Sequence, residues 1–238
     1  MKIVTVVGAR PQFIKAAAVS RIIRKEHREI LVHTGQHYDI NMSDVFFKEL
    51  NIPNPDYNLC INGGTHGEMT GKMLIEIEKV LQQEMPDILL VYGDTNSTLA
   101  AVKLHIPVCH VEAGNRLGTL SNPEEINRIL TDHVSSLLLC CTNSSVEFLK
   151  QENITKNVEL VGDPMYDAFL YYGAKLKEED YNGIVDIYGT KVDLGTGYYY
   201  LTCHREENTN VDKPLHEILS AMESLGAKVV YPVHPRNR

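Results

Sequence analysis

The stretch MKIVTVVGARPQFIK, residues 1–15, decides the fold. A β-branched, apolar run over residues 3–7 stops abruptly at Gly8, and Arg10, Pro11 and Lys15 follow as a helix-forming run begins. The pattern is that of a buried strand, a tight turn and a helix N-terminus. At such a junction the free backbone N–H groups and the positive end of the helix dipole suit an anion above the strand end. Arg10 and Lys15 add two cations, so the turn reads as a site for a phosphorylated ligand. The same residues also fit an ordinary first βα unit with two solvated cations.

Outward from that stretch the chain alternates between two periods. Strand-like runs fall at residues 3–7, 29–33, 87–92, 107–111, 136–141 and 158–161, and helical patterns at 13–25, 43–50, 68–83, 98–104, 123–135 and 144–152. Strands alternating with helices imply right-handed crossovers and an α/β fold, a parallel sheet with helices on both faces. The pattern loosens after Asp163 into a tyrosine-rich, charged stretch. A second unit then begins, with a strand over 198–203, a helix over 213–225 and a strand over 228–232. The expected organisation is an N-terminal Rossmann-like domain at 1–167, a linker at 168–197, and the start of a second Rossmann-like domain at 198–238. One βαβ repeat cannot cover both faces of a sheet, so this second domain reads as incomplete.

Composition narrows the function classes. The net charge of −8 over 238 residues argues against nonspecific nucleic-acid binding and against an anionic membrane surface. No apolar run is long enough to span a membrane, and the N-terminus lacks the order of a signal peptide. The five cysteines (Cys60, Cys109, Cys140, Cys141 and Cys203) form no C-x-x-C pair and read as reduced thiols of a cytoplasmic protein.

In open parallel sheets ligands bind outside the carboxyl ends of the strands. Titratable residues recur at those ends: Arg10, His37, Asp94, Glu112, Asp163, His204, Arg205, Glu206 and His234. Acids, histidines and arginines around one cleft suit proton transfer beside phosphate. Each also has a plain structural reading. Asp94 fits an N-cap for the next helix. His110 and Glu112, two apart on a strand, are expected on one face. Their H-x-E spacing lacks the P-C-x-x-C partner of a zinc deaminase, and no metal is expected. Glu124 and Glu125 fit favourable charge in a first helical turn, with Glu125 reaching Arg128.

Six motifs then appear in order: Gly8-Ala9-Arg10-Pro11-Gln12, Val91-Tyr92-Gly93-Asp94-Thr95-Asn96-Ser97, His110-Val111-Glu112-Ala113-Gly114, Pro123-Glu124-Glu125-Ile126-Asn127-Arg128, His204-Arg205-Glu206-Glu207-Asn208 and Pro232-Val233-His234-Pro235. Through them the chain closely resembles the non-hydrolysing UDP-N-acetylglucosamine 2-epimerases. The resemblance implies a glycosyltransferase-B-like fold of two Rossmann-like domains, the second truncated in this chain. It implies interconversion of UDP-N-acetylglucosamine and UDP-N-acetylmannosamine through a 2-acetamidoglucal, with no cofactor and no metal. It also implies a homodimer that supplies N-acetylmannosamine for surface polysaccharide. By motif match, Asp94, Glu112 and Glu125 are the proton-transfer carboxylates, and His204 serves the leaving phosphate. Arg10, Lys15, Arg116, Arg205, Glu206 and His234 are substrate-binding. Residues 36–39 read Gln-His-Tyr-Asp where many bacterial members have Gln-His-Arg-Gln, so their allosteric UDP-N-acetylglucosamine site is not expected intact. Two rival readings stand beside this one: a UDP-sugar glycosyltransferase on the same fold, and a non-catalytic fragment or remnant of the family.

Overall fold

The computed structural model describes residues 1–35, 50, 52–93, 98–177, 183–195, 197–203, 206–209 and 212–233. Asp94, Arg205, His204, His234, all but the last residue of the expected helix over 43–50, and the 36–39 motif lie outside the described residues, as do the side chains of Arg10 and Glu206. The chain divides into two compact units, Met1–Leu176 and Lys177–Arg238.

The first unit is one parallel sheet of seven strands. These are β1 (Lys2–Val7), β2 (Arg28–His33), β3 (Tyr57–Asn58), β4 (Ile88–Tyr92), β5 (Val108–Ala113), β6 (Leu137–Cys140) and β7 (Val158–Leu160), in the order β3-β2-β1-β4-β5-β6-β7. The order reverses between β1 and β4, where a doubly wound sheet opens a crevice for ligands. The connecting helices are α1 (Arg10–Ile23), α2 (His66–Glu84), α3 (Thr98–Lys103), α4 (Pro123–Val134), α5 (Asn143–Gln151) and α6 (Pro164–Gly173). Alternate strand residues serve opposite faces. Val4, Val6, Val91 and Val108 pack with Met73 and Ile77 of α2 and Ala101 of α3. Val7, Leu90, Tyr92 and Val111 pack with Phe13, Ala16 and Ala17 of α1. Burial on both faces explains why the strands read as continuous apolar runs.

Two elements depart from the sequence reading. The two-residue β3 was too short to leave a pattern. The tyrosine-rich stretch begins with α6, which packs on α1: the Tyr172 hydroxyl donates to the Leu50 carbonyl at 2.5 Å, and the Arg21 guanidinium lies 3.9 Å from the Tyr171 ring centre. Asp163 caps α6 by accepting from the Met165 N–H at 2.8 Å, and Pro164 opens it.

The second unit holds an antiparallel pair, β8 (Ile184–Val185) with β9 (Lys191–Val192), and a parallel pair, β10 (Tyr199–Tyr200) with β11 (Val229–Val230). Between β10 and β11 lie α7 (Glu206–Thr209) and α8 (Asp212–Glu223). The expected strand-helix-strand repeat is there, with shorter strands than the apolar runs suggested. No helix among the described residues is long and apolar enough to cross a membrane.

Candidate active site

The site is built where β1, β4 and β5 end. Gln12, in the first turn of α1, joins two of these ends. Its Oε1 accepts from the Gly8 and Ala9 N–H groups at 2.7 and 3.1 Å, and its Nε2 donates to the Tyr92 carbonyl at 3.2 Å. One turn on, Lys15 is buried to 7% exposure and its ammonium pairs with Glu112 Oε2 from the end of β5. The other Glu112 oxygen accepts from Asn115 Nδ2 at 3.1 Å.

Glu112 reaches Lys15 because the backbone breaks strand geometry there. Its φ is +70°, a left-handed value rare outside glycine, and the β5–β6 register shifts between Val111 and Ala113. Strict alternation would have kept Glu112 on the face of His110, as the sequence reading expected. Instead His110 turns to α4 and Glu112 to α1. The bulge is the physical reason, and bulges re-aim side chains at strand ends in this way. Gly93, at φ +54°, makes room: a Cβ there would sit 2.7 Å from Glu112 Oε2 and 3.7 Å from Lys15 Nζ.

Glu125 enters from the first turn of α4, which Asn122 caps by accepting from the Glu124 N–H at 2.8 Å. Glu125 is 1% exposed. Its Oε1 accepts from the Leu117 and Gly118 N–H groups at 2.7 and 3.0 Å. Its Oε2 has no hydrogen-bond partner among the described residues, and Arg128 NH1 lies 3.5 Å away as an ion-pair partner. The carboxylate is thus oriented by backbone through one oxygen, while the other makes only the longer ion contact to Arg128. The reach to Arg128 is the one the spacing predicted. Glu124 is the more exposed of the pair and meets Arg128 NH2 at 3.3 Å.

Arg116, expected at the substrate, has its guanidinium engaged by protein. Nε and NH2 meet the two oxygens of Glu152 at 2.6 and 2.7 Å, and NH1 meets Asp132 Oδ2 at 2.7 Å and the Asn115 carbonyl at 2.9 Å. Asp132 also takes the Gly114 N–H at 3.0 Å and His110 Nδ1 at 2.6 Å. Burial pushes the Asp132 carboxyl up, but the hydrogen bonds and charges of His110 and Arg116 outweigh it and hold it below the ordinary range. The Arg116 hydrogen bonds likewise hold Glu152 low. Cys141, after β6, is pushed up to about 12, first by burial and then by the negative charges of Glu112 and Asp163.

Sequence reasoning missed Asp132, Asn115 and the two glycines. Asp132 lay within reach of it: seven residues after Glu125, it falls on the same face of one helix. Asn115 and Gly93 offered no such periodic signal.

The family model described as UDP-N-acetylglucosamine 2-epimerase matches residues 21–238. A UDP-N-acetylglucosamine 2-epimerase homolog of Methanococcus maripaludis is 49% identical over 243 residues, covering 100% of this chain and 67% of its own length. The UDP-2,3-diacetamido-2,3-dideoxy-D-glucuronate 2-epimerase of Pseudomonas aeruginosa is 47% identical over 252 residues, covering 100% of this chain and 68% of its own. Among solved structures, the Methanocaldococcus jannaschii UDP-GlcNAc 2-epimerase in complex with UDP-GlcNAc and UDP has a TM-score of 0.86 at 42% identity, covering 100% of this chain and 67% of that one. The chain therefore spans about two thirds of the length of the relatives it matches. The seven-stranded parallel sheet and the full-length likeness bear out the glycosyltransferase-B-like fold class. The family model and the relative matched over this whole chain give one conclusion: the chain belongs to the UDP-N-acetylglucosamine 2-epimerase family.

Proposed function

We propose that the protein is a non-hydrolysing epimerase that interconverts UDP-N-acetylglucosamine and UDP-N-acetylmannosamine. The observation that carries this reading is a pair of differently held carboxylates, Glu112 tied to Lys15 at the end of β5 and Glu125 oriented by two backbone N–H groups at the start of α4.

The reaction asks for such a set. The C2 proton of the sugar is not acidic, so its removal must be coupled to departure of UDP from C1. A carboxylate takes the proton as the C2–H bond breaks. The electron pair forms the C1–C2 double bond, and the C1–O bond breaks to release UDP. Addition of UDP back to the 2-acetamidoglucal, with a proton delivered to the opposite face of C2, completes inversion. Two carboxylates on different elements give the two faces of the sugar separate proton carriers. Much of the barrier falls to stabilising the leaving diphosphate. In this reading Asp94, Glu112 and Glu125 exchange protons, His204 serves the leaving phosphate, and Arg10 and Lys15 serve the diphosphate. Arg205, Glu206 and His234 complete the substrate contacts, while Arg116 holds Asp132 and Glu152. The enzyme acts in the cytoplasm as a homodimer, and its product supplies N-acetylmannosamine for surface polysaccharide.

A second substrate has a specific observation behind it. The Pseudomonas aeruginosa relative, at 47% identity, is named for a UDP-diacetamido-glucuronate. Incubating the protein with each UDP-sugar separately, without any acceptor, and following the anomeric proton signals decides between them. Conversion of UDP-N-acetylglucosamine supports the proposal. Conversion of the diacetamido-glucuronate alone moves the substrate assignment, and no conversion of either sugar overturns the epimerase reading.

A further inference from the structure

The proposed reaction leaves His110 without a task, yet His110 and Asp132 form an ion pair whose two side chains are fully buried. The hydrogen bonds around the ring fix its protons. Nε2 lies 2.9 Å from the Gly93 carbonyl oxygen, which only accepts, so Nε2 carries hydrogen. Nδ1 lies 2.6 Å from Asp132 Oδ1. The other Asp132 oxygen already accepts from Gly114 N and from the Arg116 guanidinium, a cation that favours the ionised, accept-only carboxylate. Nδ1 therefore carries hydrogen as well.

Charge counting agrees. Asp132 and Glu152 are two anions, and Arg116, which bridges them, is a single cation. With Asp132 ionised, a neutral His110 would leave this mostly buried network with one uncompensated negative charge, an expensive arrangement. Arg116 lies across Asp132 from the ring and opposes a second cation. The carboxylate between them and the Gly93 carbonyl favour it. His133 meets Glu152 at 3.2 Å from the half-exposed side of the network.

The geometry points to His110 as a positioning residue: an imidazolium that fixes Gly93, the backbone break at Glu112 and helix α4 relative to one another. The Gly93 carbonyl belongs to the peptide that joins Gly93 to Asp94, so the ring holds the chain immediately before that acid. Asp132 holds Gly114, two residues past Glu112, while His110 itself lies two residues before it. The backbone break at Glu112 is thereby fastened on both sides. Asp132 also follows Glu125 by two turns on the buried face of α4, so the same pair ties that helix to β5. The inference rests on the epimerase reading for the identity of the carboxylates, but the charge state does not.

The test has two arms. Histidine-labelled protein at pH 8, where an ordinary imidazole with a pKa near ~6.5 is neutral, is observed by 15N NMR, with His110 assigned by its loss in His110→Gln. Protons on both ring nitrogens are expected, and an unprotonated ring nitrogen overturns the charged state. Asp132→Asn, folded by circular dichroism, should convert the ring to a neutral tautomer. A ring that stays doubly protonated in that variant contradicts the pairing argument. In the second arm, His110→Gln is expected to lower kcat at least about tenfold with KM changed by less than about twofold, the signature of an interaction felt in the transition state. An unchanged kcat per folded molecule overturns the positioning role. Wild-type protein that converts neither UDP-sugar defeats the epimerase reading instead, and the NMR arm still decides the imidazolium.

Discussion

Gly93→Ala separates the geometry of the site from the stability of the fold. Gly93 has φ +54°, and an added Cβ would stand 2.7 Å from Glu112 Oε2. Ordinary contact begins near ~3.4 Å, so the carboxylate must retreat by roughly 0.7 Å or the backbone must give way. Retreat drags on the Lys15 ammonium, because the same methyl lies 3.7 Å from Nζ. Left-handed backbone at a non-glycine residue costs about 1–2 kcal/mol, which in a chain of this size lowers Tm by about 2–8 °C. Catalysis should suffer far more, since a displacement near ~1 Å at a reacting group can cost on the order of 100-fold. Gly63→Ala is the control. Gly63 also has a left-handed φ, +67°, but nothing lies within 4 Å of the added methyl. Both variants should lose similar Tm by calorimetry. Only Gly93→Ala should lose about 100-fold in epimerisation rate, by proton NMR of the anomeric signals. A Gly93→Ala enzyme within about threefold of wild type would refute the claim that the Lys15–Glu112 pair must sit where it does.

Further outcomes are expected from other parts of the site. Asp94→Asn and Glu125→Gln should each abolish epimerisation while leaving circular dichroism unchanged, and retained turnover in either would reject its proton-transfer role. Asp132, fully buried between His110 and Arg116, should cost about 3 kcal/mol when changed to Asn, read by urea denaturation at pH 7. Its folded pKa lies below the unfolded value of ~3.9, so its contribution is present above about pH 4 and is lost as pH falls through the folded value. The wild type should thus lose part of its advantage over Asp132→Asn between pH 5 and 2, and a constant gap would contradict the pairing. Cys141, pushed up to about 12, should resist iodoacetamide at pH 8 while exposed Cys60 is alkylated, as peptide mass spectrometry can show.

The sheet was legible because burial on both faces writes each strand as an unbroken apolar run, as in residues 3–7 and 88–92. The helices were legible from their caps and first turns, Asn122-Pro123-Glu124-Glu125 being the clearest case. β3 was not, because two residues cannot show a period. α6 was hidden because its aromatic residues, Tyr166, Phe169, Tyr171 and Tyr172, do not alternate cleanly between apolar and polar. Lys15, Glu112 and Glu125 could be singled out as candidates because charge at a strand exit or helix start is visible in one dimension. The direction of Glu112 was not, because the bulge after Val111 reverses its face and no residue type there announces it. The engagement of Arg116 was equally hidden: its partners, Asp132 and Glu152, lie 16 and 36 residues away.

The central claim is proton exchange at C2 coupled to reversible loss of UDP. The most direct measurement is proton NMR of UDP-N-acetylglucosamine incubated with the protein in D2O. The account predicts that UDP-N-acetylmannosamine appears with deuterium at C2, and that the C2 proton of recovered UDP-N-acetylglucosamine is washed out. Product that keeps its original C2 proton, or no exchange in folded protein, would contradict it.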